Sequence, residues 1–319
     1  MTQLSVPESP TQTSHHSHPH REDIHTHPHG AIDAAIATSE RGLWAVKVSL
    51  VGLILTAIAQ ATIFWLSGSV ALLADLIHNV GDAMTALPLG VAFIIGRRQP
   101  TQRFAYGYGR VEDLAGVAIV GIILLSALMT AYESIDRFYH PQPIHHLGAL
   151  AIAALIGFIG NETVAIFRMR VGREIDSAAL VADGKHALAD GLVSLAVLVS
   201  AIGVWAGYSW VDPLVGLVIT VLLFRIVWES GQTIFTRLLD GVDPDIIDTL
   251  RHAAEHVTEM ESVGTIRARW LGHRLYAELD VVVAEACSVK DGQAIAEAVN
   301  LQLQEHIPYL ASATVRIVC

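Results

Sequence analysis

The sequence predicts an all-α membrane domain of six helices, followed by a small soluble α+β domain. Hydrophobic residues make up 52% of the 319 residues and charged residues only 16%, and the mean hydropathy is +0.48. These values are typical of a membrane protein with a polar remainder. Long apolar runs occupy residues 41–239, and after residue 239 the pattern changes to that of a soluble domain.

The first 40 residues carry a polar, histidine-rich tract, HHSHPHREDIHTHPHG, and no signal peptide. Because this tract cannot bury a core, we predict that residues 1–40 form a disordered cytosolic tail. Two interpretations stay open for its histidines, weak gathering of metal ions or no role beyond solvation. They are His15, His16, His18, His20, His25, His27 and His29.

The six apolar runs predict helices that cross a lipid bilayer. Each run is close to the roughly 20 residues that span about 30 Å of hydrocarbon. Buried helices of a soluble bundle would show a polar face at the helical period, and these runs mostly do not. We therefore assign residues 41–239 to a transmembrane domain. The runs cover residues 43–66, 69–96, 112–136, 147–168, 177–205 and 211–234.

Arginine residues are concentrated in alternate loops between the runs. Because such residues are retained on the cytosolic side of a membrane, both termini are predicted to be cytosolic. The net charge of −11 comes from the N-terminal tail and the residues after 239, and it predicts no nucleic-acid partner. The loop arginines are Arg97, Arg98, Arg103 and Arg110, then Arg168, Arg170 and Arg173, and finally Arg237 after the sixth run.

Residues 240–319 show an α-β-β-α-β order. Asp243 and Pro244 are typical of a helix start, and Gly272 stands at a turn between two strand-like stretches. The order predicts a compact α+β domain with helices on one face of a small sheet. Cys287 and Cys319 provide neither a disulfide framework nor a CxxC metal site. The predicted helices are 243–257 and 288–306, and the predicted strands are 262–272, 273–285 and 311–318.

A polar pattern, Ala-Asp-x-x-His-x-x-x-Asp, occurs twice within the apolar runs. It reads ADLIHNVGD at residues 74–82 and ADGKHALAD at residues 182–190. Positions i, i+3 and i+7 share one face of a helix, so each copy projects its polar side chains together. His78 with Asp82, and His186 with Asp190, lie at a similar depth near the bilayer midplane, where the two helices can meet.

Two imidazoles and two carboxylates suit tetrahedral Zn²⁺, while Co²⁺, Fe²⁺ and Cd²⁺ stay open. Internal ion pairs that hold the helices together are the structural alternative. Ionisable residues at membrane depth are functional by default, which favours the metal site. Asp75 and Asp183 lie one turn away from the proposed ligands. Two interpretations of these residues stay equally open. They either support the ligands or line the ion pathway, or they make a purely structural hydrogen bond.

At these residues the chain resembles the cation diffusion facilitator family of zinc-type metal exporters. The resemblance covers about residues 40–319 and rests on four motifs: SGSVALLADLIHNVGD, PTQRFAYGYGRVEDLA, NETVAIFRMRVGREIDSAALVADGKHALADG and LLDGVDP. It implies a six-helix transport domain in a bacterial inner membrane, a ferredoxin-like cytosolic domain that forms a homodimer, and alternating access coupled to inward proton movement. It also implies that His78, Asp82, His186 and Asp190 are the transport-site ligands.

The resemblance has departures as well as matches. Some family members bind further metal ions in the loop after the second helix and in the cytosolic domain. The corresponding loop positions here are Thr101, Phe104 and Tyr108, and the corresponding positions of the cytosolic domain are Gly264, Gln293 and Arg316. Both metal sites are therefore expected to be missing, and the stability of the dimer is expected to rest on packing. His273 is either a substitute ligand or a solvated turn residue. Arg110 and Asp240 match a family charge pair expected to tie the loop to the sixth helix and to interlock two protomers.

A transporter needs a second state that releases its ion, and imidazole, with an ordinary pKa of about 6.5, exchanges metal for protons near neutral pH. The sequence therefore predicts Zn²⁺/H⁺ antiport, with Zn²⁺ as the substrate and no cofactor. A metalloenzyme would need a general base, usually within HExxH, and no such motif is present, so no enzyme is predicted. The alternatives are transport of another divalent metal ion, Cd²⁺, Co²⁺ or Fe²⁺, and a membrane metal sensor.

Overall fold

A computed structural model of the chain describes residues 29–67, 86–139, 147–208 and 210–319. Within these ranges, five helices are long and apolar enough to cross a membrane, and they match five of the six predicted runs. The shorter helix α2 belongs to the run at 69–96, whose residues 69–85 lie outside the described part. The helices of this domain are α1 (His29–Ser67), α2 (Ala86–Gly96), α3 (Arg110–Tyr139), α4 (Leu147–Glu174), α5 (Ala178–Trp205) and α6 (Val211–Leu238).

Helix α1 begins at His29, so it extends into residues 1–40, the stretch that the sequence assigns to a disordered tail. Residues 29–40 are helical. The physical reason is the segment AIDAAIATSE, which is rich in alanine, the residue with the highest helix propensity. The other histidines of the tract lie outside the described residues, so both interpretations of their role stay open.

The membrane helices bury small residues against each other and expose large ones. Helices α4 and α5 approach closely at Gly184, where a Cβ atom would lie 2.7 Å from Cγ of Met169. Outward-facing side chains are large and apolar, including Trp65, Val221 and Trp228. Because a bilayer solvates such side chains, this surface suits a lipid environment rather than water.

The C-terminal domain has the predicted α-β-β-α-β order. Asp243 caps the first helix by accepting a hydrogen bond from the backbone N–H of Asp245 at 3.2 Å, and Pro244 opens the helix. Strand β2 pairs antiparallel with β1 and parallel with β3. The elements are α7 (Pro244–Ala254), β1 (Ser262–Leu271), β2 (Arg274–Val282), α8 (Val289–His306) and β3 (Leu310–Val318). Their shared core includes Leu250, Leu275, Leu279, Val299 and Leu303.

The β1–β2 turn of the C-terminal domain inserts into the base of the membrane domain. His273 Nδ1 lies 2.6 Å from Oε2 of Glu112, and His273 Nε2 lies 3.3 Å from Oγ of Ser39. The other carboxylate oxygen of Glu112 accepts a hydrogen bond from Oγ of Ser177 at 2.5 Å. His273 is only 7% exposed, so its interpretation as a solvated turn residue is wrong. A hydrogen bond to a membrane-domain carboxylate holds it inside the domain joint.

Candidate metal centre

Helix α5 carries the second copy of the polar pattern on a buried face. Asp183, His186 and Asp190 are 0%, 1% and 6% exposed within the protein. Ser177 is the N-cap of this helix, because its Oγ accepts a hydrogen bond from the backbone N–H of Leu180 at 3.1 Å. This start places the three polar residues in the first half of the membrane-spanning helix, facing its neighbours as the spacing predicted.

The arrangement of His186 and Asp190 fits two ligands of one metal ion. Nδ1 of His186 lies 3.7 Å from Oδ1 of Asp190, one helical turn away. Two ligand atoms at about 2.0–2.2 Å from a tetrahedral Zn²⁺ are about 3.4 Å apart, so only a small adjustment separates this pair from coordination geometry. Both residues project from a single rigid helix, which is the kind of support that precise ligand placement needs.

The first copy of the pattern lies outside the described residues. Asp75, His78 and Asp82 all belong to residues 68–85, for which the structure gives no placement. The convergence of four ligands therefore stays a prediction, as does the role of Asp75.

The structure gives Asp183 a partner that the sequence interpretation missed. Nη1 of Arg168 lies 3.0 Å from Oδ2 of Asp183, and the two side chains are 1% and 0% exposed. Nε of Arg168 also donates a hydrogen bond to Oγ of Ser49 at 2.8 Å, which connects the pair to helix α1. The sequence places Arg168 among the cytosolic loop arginines, but α4 continues to Glu174 and buries this residue. The pattern along either helix gives no signal for this pairing, because it depends on how α4 packs against α5.

This ion pair is only partly satisfied. In the described part of the chain, neither carboxylate oxygen of Asp183 makes a hydrogen bond, and Nη2 of Arg168 makes none. Oε2 of Glu162 on α4 would lie 3.6 Å from a Cβ atom at Gly191, the residue after Asp190 on α5, and it is likewise buried without a hydrogen bond among described residues. Oδ2 of Asp183 keeps the charge of Arg168 at 3.0 Å, whereas Oδ1 of Asp183 and Nη2 of Arg168 have no hydrogen bond among the described residues. A buried polar atom left without a hydrogen bond lowers stability.

Arg110 and Asp240 contact each other within one chain. Nη2 of Arg110 donates to Oδ1 of Asp240. Nη1 of Arg110 donates to the carbonyl oxygens of Arg237 at 3.0 Å and Leu238 at 3.2 Å. The start of α3 is therefore tied to the end of α6. The further expectation that this pair interlocks two protomers stays a prediction, which the dimerisation of Arg110→Ala would test.

Two family models together match nearly all of the chain after its N-terminal tract. The model of the cation efflux transmembrane domain matches residues 46–239, and that of the cation efflux protein cytoplasmic domain matches residues 242–317. The chain belongs to the cation efflux, or cation diffusion facilitator, family. This cation efflux protein is therefore an integral membrane transporter and not an enzyme, and its metal ion is a substrate rather than a cofactor.

Relatives of this cation efflux protein occur in several bacteria. It is 45% identical to a probable cation efflux system protein of Mycobacterium tuberculosis (strain CDC 1551 / Oshkosh), over 93% of this chain and 88% of the relative. It is 27% identical to the zinc transporter ZitB of Escherichia coli (strain K12), over 76% and 77%. Among solved structures, a cadmium form of the MamM CTD is 26% identical, covers 24% of this chain and 95% of that chain, and has a TM-score of 0.23.

Proposed function

We propose that this cation efflux protein exports Zn²⁺ from the cytosol in exchange for protons, through a site of His78, Asp82, His186 and Asp190. The observation that carries the proposal is the buried pair of His186 and Asp190 on α5, with ligand atoms 3.7 Å apart. An imidazole and a carboxylate at this separation, inside a helix that crosses the membrane, are the donor set that Zn²⁺ accepts.

The choice of Zn²⁺ follows from the ligand types. Imidazole nitrogen disfavours Mg²⁺ and Ca²⁺, and the absence of thiolate from the proposed set disfavours Cu⁺. The relative ZitB is named a zinc transporter, which supports the same assignment. Cd²⁺, Co²⁺ and Fe²⁺ accept similar ligands, so competition between these ions belongs in the experiment.

Protons are the second substrate in this proposal. Zn²⁺ binds only the neutral imidazole, and free histidine takes up a proton at an ordinary pKa of about 6.5. A proton arriving from the outer side therefore weakens the site as the ion leaves, and the same proton returns to the cytosol in the next half-cycle. Rocking of the helices around the site provides the alternating access.

The remaining proposals concern placement and assembly. Arginines on alternate loops support cytosolic termini in a bacterial inner membrane. The match to the cytoplasmic-domain family model supports a homodimer formed through residues 240–319. In that arrangement the domain joint at Glu112 and His273 connects the dimerisation domain directly to helices α3 and α5.

The experiment is Zn²⁺ flux into vesicles that contain the purified protein, under an imposed pH gradient. Asp190→Ala and His186→Ala are compared with wild type and with Ser200→Ala, a buried substitution farther along the same helix. The proposal requires flux that follows the gradient, is lost in the first two variants and persists in the third.

Each contrary outcome has a separate meaning. Flux that ignores the pH gradient rejects proton exchange but keeps metal export. Preference for Cd²⁺, Co²⁺ or Fe²⁺ in competition reassigns the metal ion. Bound Zn²⁺ without any flux supports the membrane metal sensor, and flux that survives both ligand substitutions rejects the site.

A further inference from the structure

A small cavity lies between the membrane domain and the cytosolic domain. Its volume is about 60 Å³, and its walls include the last turn of α2, the loop after α2, the start of α3 and the β1–β2 turn. Since one water molecule needs about 10–15 Å³, the cavity has room for a group of about five heavy atoms. That is the size of a phosphate group.

The loop after α2 has a defined conformation around this cavity. The backbone N–H of Phe104 donates to the carbonyl oxygen of Thr101 at 3.0 Å, and the N–H of Thr101 donates to the carbonyl oxygen of Phe104 at 3.1 Å. Gly109 packs against β1, where an added Cβ atom would lie 2.6 Å from the carbonyl oxygen of Leu271. The wall is therefore in place before any ligand binds, which lowers the entropic cost of binding.

Two arginines without a protein partner line the cavity. They are Arg98, in the loop after α2, and Arg274, the first residue of β2. Within the described ranges, neither guanidinium group makes an ion pair or a hydrogen bond. The neighbouring Arg97, by contrast, is paired with Glu40 at 2.7 Å. Phenolic hydroxyl groups also donate hydrogen bonds, and three tyrosines contribute to the lining: Tyr106, Tyr108 and Tyr276.

The acidic residue of the described lining, Glu112, is already bonded to other residues. Its Oε1 accepts a hydrogen bond from Oγ of Ser177 at 2.5 Å, and its Oε2 lies 2.6 Å from Nδ1 of His273. It does not neutralise the two arginines, so the charge in the cavity favours an anion from outside the protein. A planar guanidinium group binds phosphate through two N–H donors at once.

The position of the cavity favours a lipid headgroup over a dissolved anion. Ala92, Phe93 and Gly96 of α2, a helix of the membrane domain, form its apolar side. The arginines and tyrosines of the lining lie just beyond the end of this helix, at the level where lipid phosphates meet water and where tyrosine is enriched. Basic pockets on the cytoplasmic side of membrane helices recognise acidic headgroups in this way.

We propose that this cavity binds the phosphate group of an acidic phospholipid from the cytosolic leaflet, with Arg98 and Arg274 as its charged partners. Arg98 belongs to the membrane domain and Arg274 to the cytosolic domain. A bound headgroup therefore connects the two domains and stabilises the contact between them. The proposal does not depend on which metal ion the protein transports.

The experiment counts the lipids bound to the purified, delipidated full-length protein by native mass spectrometry. Phosphatidylglycerol is titrated into wild type, Arg98→Gln, Arg274→Gln and the double variant. We expect each single substitution to weaken the tightest phosphatidylglycerol site about tenfold, because each removes a charge-assisted contact to phosphate. The double variant should lose the site. Phosphatidylcholine, which has a phosphate group but no net charge, should bind wild type about tenfold more weakly.

Arg170→Gln is the matched control, because Arg170 is exposed near the end of α4 and lies outside the lining. It loses the same charge and should bind phosphatidylglycerol as wild type does. Equal weakening in Arg170→Gln and Arg98→Gln overturns the proposal, as does equal binding of the two lipids. Displacement of phosphatidylglycerol by inorganic phosphate at a similar concentration overturns the lipid assignment in favour of a dissolved anion. Arg98 is exposed, so Arg98→Gln keeps the test valid even if Arg274→Gln lowers the unfolding temperature.

Discussion

Buried polar side chains occur in two regions of this protein, and the two regions satisfy them differently. At the domain joint, both carboxylate oxygens of Glu112 have close partners, and Asp113 accepts a hydrogen bond from the backbone N–H of Gly272 at 3.2 Å. Inside the membrane domain, Asp183 and Arg168 face each other at 3.0 Å, yet three of their polar atoms lack hydrogen bonds among the described residues.

The difference lies in how completely each region pairs its buried polar atoms. Leaving a buried polar atom without a hydrogen bond costs about 1–3 kcal/mol. A joint that has only to hold two domains together avoids that cost by pairing its groups. Inside the membrane domain, three polar atoms of the Arg168–Asp183 pair keep that cost among the described residues.

The largest effect on stability is expected from Arg168→Ala. The substitution leaves the carboxylate of Asp183 buried without its cation, and breaking a buried pair in this way costs about 3–5 kcal/mol. Thermal unfolding in detergent measures the loss. Arg170→Ala, at an exposed position of the same helix, is the control and should change little. Equal unfolding temperatures for the two variants would show that the pair contributes nothing, whereas partial recovery in Arg168→Ala/Asp183→Ala would support it.

A smaller loss is expected from Glu112→Gln at the joint. The amide keeps the shape of the side chain but weakens the bonds to His273 and Ser177, and a hydrogen bond to a charged group contributes about 1.5–3 kcal/mol. Glu133→Gln, at an exposed position on the same helix, serves as the control. A double-mutant cycle with His273→Gln measures the coupling directly. Additive losses in that cycle would mean that the two residues act independently.

Gly272→Ala tests the close fit of the turn in the same joint. Gly272 has φ of 64°, and a Cβ atom there would lie 2.8 Å from Oε2 of Glu112 and 2.8 Å from the carbonyl oxygen of Gly109. The left-handed conformation alone costs an alanine about 1–2 kcal/mol. Gly292→Ala lies within helix α8, where the new Cβ would be 3.4 Å from Ile317, and should be neutral or slightly stabilising. Equal unfolding temperatures for the two variants would contradict the close contact of Gly272 with Glu112 and Gly109.

The smallest effect is expected from Asp176→Asn and depends on pH. Burial raises the pKa of Asp176, and the charges of Arg237 and His273 oppose this only in part. The folded state therefore binds this proton more tightly than the unfolded state, and its stability falls as pH rises through the ordinary carboxylate pKa toward the raised one.

Asparagine does not ionise, so it removes the loss of stability that ionisation of Asp176 causes as pH rises. It also tolerates the φ of 55° at this position. The variant should consequently gain stability relative to wild type at pH 7, with a smaller gain at pH 4. Thermal unfolding of both proteins at the two pH values measures this difference, and a gain that does not change with pH would exclude the ionisation of Asp176 as its cause.

The sequence by itself determined the features that depend on local periodicity. Apolar runs of about 20 residues predict helices that cross a membrane, and the i, i+3 and i+7 spacing predicts that Asp183, His186 and Asp190 share a face. The same holds for the α-β-β-α-β order of the C-terminal domain and for the turn at Gly272. These features follow from the chain's own geometry, so no knowledge of the neighbouring elements was needed.

Only the tertiary structure decided which distant residues became partners. The helical pattern near Arg168 does not reveal that α5 places a carboxylate opposite it, and a histidine beside a turn glycine looks solvated until the membrane domain covers it. The ring contacts of His256 with His252 and with His306 likewise exist only because α7 and α8 pack together. Such partners depend on how whole elements pack in three dimensions and on how burial changes the free-energy cost of each polar group. The residue pattern along a single element contains no information about the packing or about the burial.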